Sequence, residues 1–114
     1  MFEYWISTDL EQLPSVKTVN GRVFTQDSNA NKVGVKVNRN GEPVDLTGSV
    51  VANIILPDGS TITESGETDG NKAWIVLPDD AYGKVGQISI FLKLVNGTEV
   101  TTLGAVEAYV YKSM

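Results

Sequence analysis

The chain has 114 residues, of which 41% are hydrophobic and 20% charged, which fits one globular domain with a single core rather than a disordered chain. A formal net charge of −5, with nine Lys and Arg scattered along the chain, argues against a nucleic-acid partner, whose phosphates need clustered cations. With no Cys and no His, disulfides, Ser-His-Asp and Cys-His nucleophilic sites and nearly all zinc sites are excluded.

In chain order, Phe2 to Ile6 suggests an extra strand. Thr8 with Glu11 suggests a capping box over Leu10 and Leu13, stopped within about one turn by Pro14. Residues 1–15 are therefore read as an N-terminal segment, and 16–112 as the main domain. Val19 and then Val23 to Thr25 suggest a strand. Val33, Val35 and Val37 form an apolar stripe against Lys32, Gly34, Lys36 and Asn38, the period-two pattern of a half-buried strand. Val50, Ala52, Ile54 and Leu56 form the next stripe. Ala73, Ile75 and Leu77 follow, with Trp74 and Val76 on the opposite face. Pro78 to Gly83 predicts one helical turn. Ile88, Ile90, Leu92 and Leu94 then alternate with Gln87, Ser89, Phe91 and Lys93. Val100, Thr102, Val106, Ala108 and Val110 give the last stripe, broken at Gly104, where a bulge or a close approach is expected.

Turn chemistry supports these boundaries. Asn20-Gly21, Asn40-Gly41, Asp58-Gly59, Asp69-Gly70 and Asn96-Gly97 are Asx-Gly pairs suited to hairpin turns, and Pro57 presets the first corner of Pro57-Asp58-Gly59. Six to eight short strands with almost no helix predict a sandwich or small barrel, and two sheets packed face to face is the simpler solution. No stretch is apolar for the roughly 18 residues a membrane span needs, and the N-terminus lacks a signal-peptide pattern, so synthesis in the cytoplasm is expected.

Few residues suggest chemistry. Asp27-Ser28-Asn29-Ala30-Asn31 resembles the opening of a calcium loop, but Lys32 stands where the sharp turn needs Gly and Asn38 where the bidentate Glu belongs. Asp79 and Asp80 diverge in an extended segment, and Glu64, Glu67 and Asp69 lie in a Gly- and Thr-rich stretch with no facing partner. No catalytic, cofactor-binding or metal-ligating residue is expected, and no enzymatic activity. The candidate interface residues are Trp74, Phe91, Tyr109 and Tyr111, each outward by alternation. A register error of one residue, or a bulge at Gly104, would turn them into the core instead. Tyr82, ahead of a strand, suits a tyrosine-corner role.

Several segments occur together in order: Val23-Phe24-Thr25-Gln26-Asp27, then Asn40-Gly41-Glu42-Pro43-Val44-Asp45-Leu46-Thr47-Gly48, then Leu56-Pro57-Asp58-Gly59. Leu77-Pro78, the strand from Gly86, Thr101-Thr102-Leu103 and a final Tyr-containing strand follow. From Val16 to Tyr111 this resembles the N-terminal domain of phage baseplate upper proteins, tail proteins of phages and prophages of Gram-positive bacteria. The resemblance implies an immunoglobulin-like antiparallel β-sandwich of about seven to eight strands, without catalysis. It also implies a place in the virion tail among other baseplate proteins, as a ring or trimer. The alternative is a carbohydrate-binding module for a bacterial cell-surface glycan, stacking sugars on exposed Trp and Tyr.

Overall fold

The computed structural model describes residues 2–11, 16–25 and 31–112. Among the described residues are ten strands: β1 (Phe2–Asp9), β2 (Val16–Thr25), β3 (Asn31–Arg39), β4 (Glu42–Pro43), β5 (Ser49–Ile55), β6 (Thr61–Ser65), β7 (Glu67–Asp69), β8 (Lys72–Val76), β9 (Gly86–Asn96) and β10 (Glu99–Tyr111). The helical turn expected after Pro78 is a 3₁₀ turn over Asp79–Tyr82.

The strands form two sheets. The first has the order β1-β3-β8-β7, with β4 paired to the end of β3; the second has the order β2-β10-β9-β5-β6. Placing β3, β5, β7, β8, β9 and β10 at positions B, C, D, E, F and G reproduces the B-E-D and C-F-G orders of an immunoglobulin sandwich, with β1 beside B but parallel to it. The alternation explains why these sheets face each other. Val33, Val35, Val37, Ala73 and Ile75 from the first sheet are buried with Val50, Ala52, Ile54, Ile88, Ile90 and Leu92 from the second. β3, β5, β8 and β9 thus each offer one β-branched or aliphatic face to a shared core, whose burial drives the association.

The sheets are mixed, not purely antiparallel. β1 runs parallel to β3 from Phe2↔Asn31 to Asp9↔Asn38, and β2 runs parallel to β10. The cause is that the chain crosses from the first sheet to the second for β2 and returns for β3, and this double reversal leaves β1 and β3 pointing the same way. Strands outnumber the expectation because β4 and β7, of two and three residues, are too short for period two to register, and β6, Thr61–Ser65, carries one apolar residue, Ile62. The strand at Phe2–Ile6 runs on to Asp9. Thr8 lies within it opposite Val37, so it caps no helix over Leu10; Leu13 and Pro14 lie outside the described residues.

Asn20-Gly21 also departs from expectation. It falls inside β2, between Val16–Thr18, paired to Ala105–Glu107, and Val23–Thr25, paired to Tyr109–Tyr111. The pair marks an irregularity in a continuing strand rather than a reversal. At Asn40-Gly41 the expected type I′ geometry is present, with φ of 51° and 81° at the two corners and Arg39 paired to Glu42. Asp9 anchors this turn: its carboxylate accepts hydrogen bonds from the backbone N–H of Glu11, Asn40 and Gly41 at 3.0, 3.1 and 2.9 Å. Those amides, Glu11 foremost, hold the Asp9 carboxyl below its ordinary pKa.

The break at Gly104 is a bulge. Thr102 pairs with Lys93 and Gly104 with Leu92, which leaves Leu103 as the extra residue, and Leu103 is buried. Val100 and Thr102, expected inward, are therefore exposed, because one inserted residue exchanges the two faces of the strand before it.

Tyr82 occupies the corner between β8 and β9. Its ring is buried, and Asn31 Nδ2 donates a 2.6 Å hydrogen bond to its hydroxyl oxygen, while Leu77 N donates to the Asn31 carbonyl at 2.9 Å. Burial pushes the Tyr82 phenol above its ordinary pKa. Tyr82→Phe leaves the buried Asn31 amide short of an acceptor, and we expect about 1–2 kcal/mol of destabilisation in urea unfolding, with an unchanged slope. A cost below about 0.5 kcal/mol would show that this bond does not secure the corner.

Candidate functional site

The four candidate interface residues lie on opposite sides of the sandwich. Phe91, Tyr109 and Tyr111 are on the outer face of the second sheet. Phe91 is half-buried on β9 between Asn53 and Ala105, and Tyr109 is paired to Gln87 farther along. Tyr109 and Tyr111 are 41% and 51% exposed, with ring centroids 4.7 Å apart at 46°. Trp74 is on the outer face of the first sheet. The fold therefore brings three of the four to one face and sets Trp74 apart.

Trp74 has instead a partner that the strand pattern did not select. Trp5 on β1 stands opposite Gly34 on β3, and Gly34 stands opposite Trp74 on β8, so the parallel and antiparallel registers place the three residues in one row. The two indoles meet edge to face, with centroids 5.9 Å apart at 68°. Gly34 makes the row possible: a Cβ there would lie 2.4 Å from Trp5 Cζ3 and 2.9 Å from the Ala73 carbonyl oxygen. Trp5 Nε1 donates a 3.0 Å hydrogen bond to Glu3 Oε1 on the same strand. Above and below the row are lysines. Lys32 Nζ lies 4.9 Å from the centre of the Trp74 ring, and Lys36 and Lys72 Nζ lie 6.0 and 5.8 Å from the Trp5 ring. This is cation–π range.

The sequence carried one clue to this arrangement, a glycine inside an otherwise regular Val33-Gly34-Val35 stripe, which signals the close approach of another group. The partner itself could not be read, because Trp5 reaches Trp74 only through the parallel register of β1.

At one end of the sandwich, Leu10, Leu46, Leu94 and Leu103 floor a shallow groove of about 130 Å³, with Asp45 and Glu99 also lining it. The remaining polar candidates are dispersed. Asp79 and Asp80 are exposed on the 3₁₀ turn. Glu67 and Asp69 lie on the edge strand β7, whereas Glu64 lies on β6 of the other sheet, half-buried opposite the buried Ala52. Of the calcium-like stretch, Asp27 to Ala30 lie outside the described residues, while Asn31 is committed to Tyr82. Among the described residues no group of three or more Asp and Glu could hold a metal ion, and no helix is long and apolar enough to cross a membrane.

The architecture matches a known one over its full length. The chain is similar to the N-terminal domain of ORF48 of phage TP901-1, with a TM-score of 0.60 at 13% identity, covering 100% of both chains. That likeness shows a shared fold. No family model matches the sequence, and no curated protein matches it.

Proposed function

We propose that this chain is a non-enzymatic structural domain of a phage or prophage tail, seated in the baseplate and positioning receptor-binding parts carried elsewhere. The supporting observation is a convergence of two independent signs. The ordered segments around Asn40–Gly48 and Leu56–Gly59 resemble the N-terminal domain of baseplate upper proteins, and the whole fold is shared with the N-terminal domain of a phage protein. The physical design suits the role: two sheets on one aliphatic core make a rigid body, and outward aromatics on both faces offer contact area to neighbours. Its partners in this reading are other tail proteins and further copies of the chain, in a ring or trimer matching the rotational symmetry of a tail tip. Its location is the virion.

The glycan-binding alternative is less well supported. A sugar stacks on an open aromatic face, and at Trp74 the Lys32 ammonium already stands over the ring.

Immunogold microscopy of particles induced from a strain carrying the gene tests the proposal. We expect gold at the tail tip, and the protein in a blot of denatured purified particles. Absence from both would overturn the assignment, and fluorescence titration with cell-wall glycan would then test the alternative.

A further inference from the structure

Three of the nine basic residues of this acidic chain stand together on one surface. Across the first sheet the outward residues form rows: Glu3, Lys32 and Val76; Trp5, Gly34, Trp74 and Glu67; Ser7, Lys36, Lys72 and Asp69. Lys36 and Lys72 are direct cross-strand partners, an arrangement in which like charges repel and cost stability. Neither they nor Lys32 makes an ion pair among the described residues, whereas Arg39 pairs with Glu11 and Lys84 with Asp58. Even Asp69, next to Lys72 in register, does not neutralise it. The ammonium groups are gathered over the two indoles instead, so the rings hold cations where their own repulsion would spread them. Beside them Val76 is 39% exposed. The carboxylates of this face, Glu3, Asp9, Glu67 and Asp69, are confined to the edge strands β1 and β7, and Asp9 is taken up by the backbone of the Asn40-Gly41 turn.

We propose that this face docks an acidic segment of another protein, its carboxylates pairing with Lys36 and Lys72 and an apolar side chain covering Trp74 and Val76. Charge complementarity selects this occupant over the others. A long polyanion crossing the sheet would meet the acidic borders on either side. A second copy seated on the same face across a two-fold axis would set Lys36 and Lys72 against their own equivalents. The proposal is independent of the tail reading and stands or falls on the isolated chain.

Trp5 and Trp74 are the only tryptophans, so intrinsic emission reports on this face alone. Titrating the full chain with a short peptide of two glutamates flanking a leucine at low salt should give a saturable change in Trp emission, weakened as salt rises. The double variant Lys36→Ala/Lys72→Ala should bind at least tenfold more weakly with an unchanged circular dichroism spectrum. Lys72→Glu sets an unlike charge opposite Lys36, and should lose binding while its melting temperature holds or rises. That combination separates a docking role from a structural one. No emission change with that short acidic peptide overturns the proposal, as does a stronger response to polyphosphate or dextran sulfate. Salt-sensitive self-association in sedimentation, abolished by Lys72→Glu, would make the occupant a second copy and overturn it equally.

Discussion

Replacing Ile90 by alanine should lower the unfolding free energy by about 4 kcal/mol, within the range of large-to-small substitutions in a closed core. Ile90 is fully buried at the centre of β9, with Ile54 of β5 on one side and Val106 of β10 on the other, both buried. Removing its outer carbons forfeits their transfer free energy and leaves a void in a layer whose neighbours are pinned by ladder hydrogen bonds on both flanks. For a domain of this length, total stability is on the order of 6–17 kcal/mol, so the loss is about a quarter or more of it. Equilibrium urea unfolding would measure it as a lowered midpoint with an unchanged slope. Ile90→Val removes a single methylene and should cost only about 1 kcal/mol. Equal losses for the two variants would contradict the packing described for β9.

Gly66→Ala should be nearly as damaging, about 3 kcal/mol, at the upper end of what overpacking costs. Gly66 is where the chain leaves β6 in the second sheet and enters β7 in the first. Its backbone N–H donates to the Val50 carbonyl at 2.8 Å. An added Cβ would stand 2.1 Å from the Trp74 carbonyl oxygen, 2.8 Å from Ile75 Cγ2 and 2.9 Å from Val50 Cγ1. A flexible side-chain tip could yield to such a clash, but here the nearest atom is backbone in a strand. The crossing must therefore move, and either the Val50 bond or the β7–β8 pairing is lost with it. Gly59→Ala is the control, because nothing lies within 4 Å of a Cβ there, although its φ of +88° carries a smaller backbone cost. Thermal unfolding should place Gly66→Ala well below Gly59→Ala. The reverse order would mean that the crossing is not tightly fitted.

The central strands were legible in the sequence because their burial is one-sided. Val33, Val35 and Val37, Val50, Ala52 and Ile54, and Ile88, Ile90 and Leu92 all lie inward as their alternation requires. Period two carries no information where a strand is too short, as in Glu67-Thr68-Asp69, or where one residue is inserted, as at Leu103. It also says nothing about direction, which is why the parallel pairings of β1 and β2 were not foreseen. Asx-Gly pairs identify backbone that tolerates positive φ, and Asn40-Gly41 uses that tolerance to reverse the chain while Asn20-Gly21 does not. The candidate surface was half legible. Trp74 lies on an outer face as its alternation requires, but its company there includes Trp5 and Lys32 on other strands, joined to it only by sheet register.

The parallel pairing of β2 with β10 has a consequence in time. Val16 is held by Ala105 and Thr25 by Tyr111, so one edge of the second sheet joins the chain's early residues to its last strand. Val16 and Ala105 are 89 residues apart in sequence, so this contact closes a long loop whose entropy must be lost before any pairing energy is returned. The hairpins β5–β6 and β9–β10 can form from near neighbours, whereas β2 has no place in its sheet until β10 has been synthesised. Folding should therefore finish only after translation has passed Tyr111, and a nascent chain arrested before β10 is made would present β9 as an open edge.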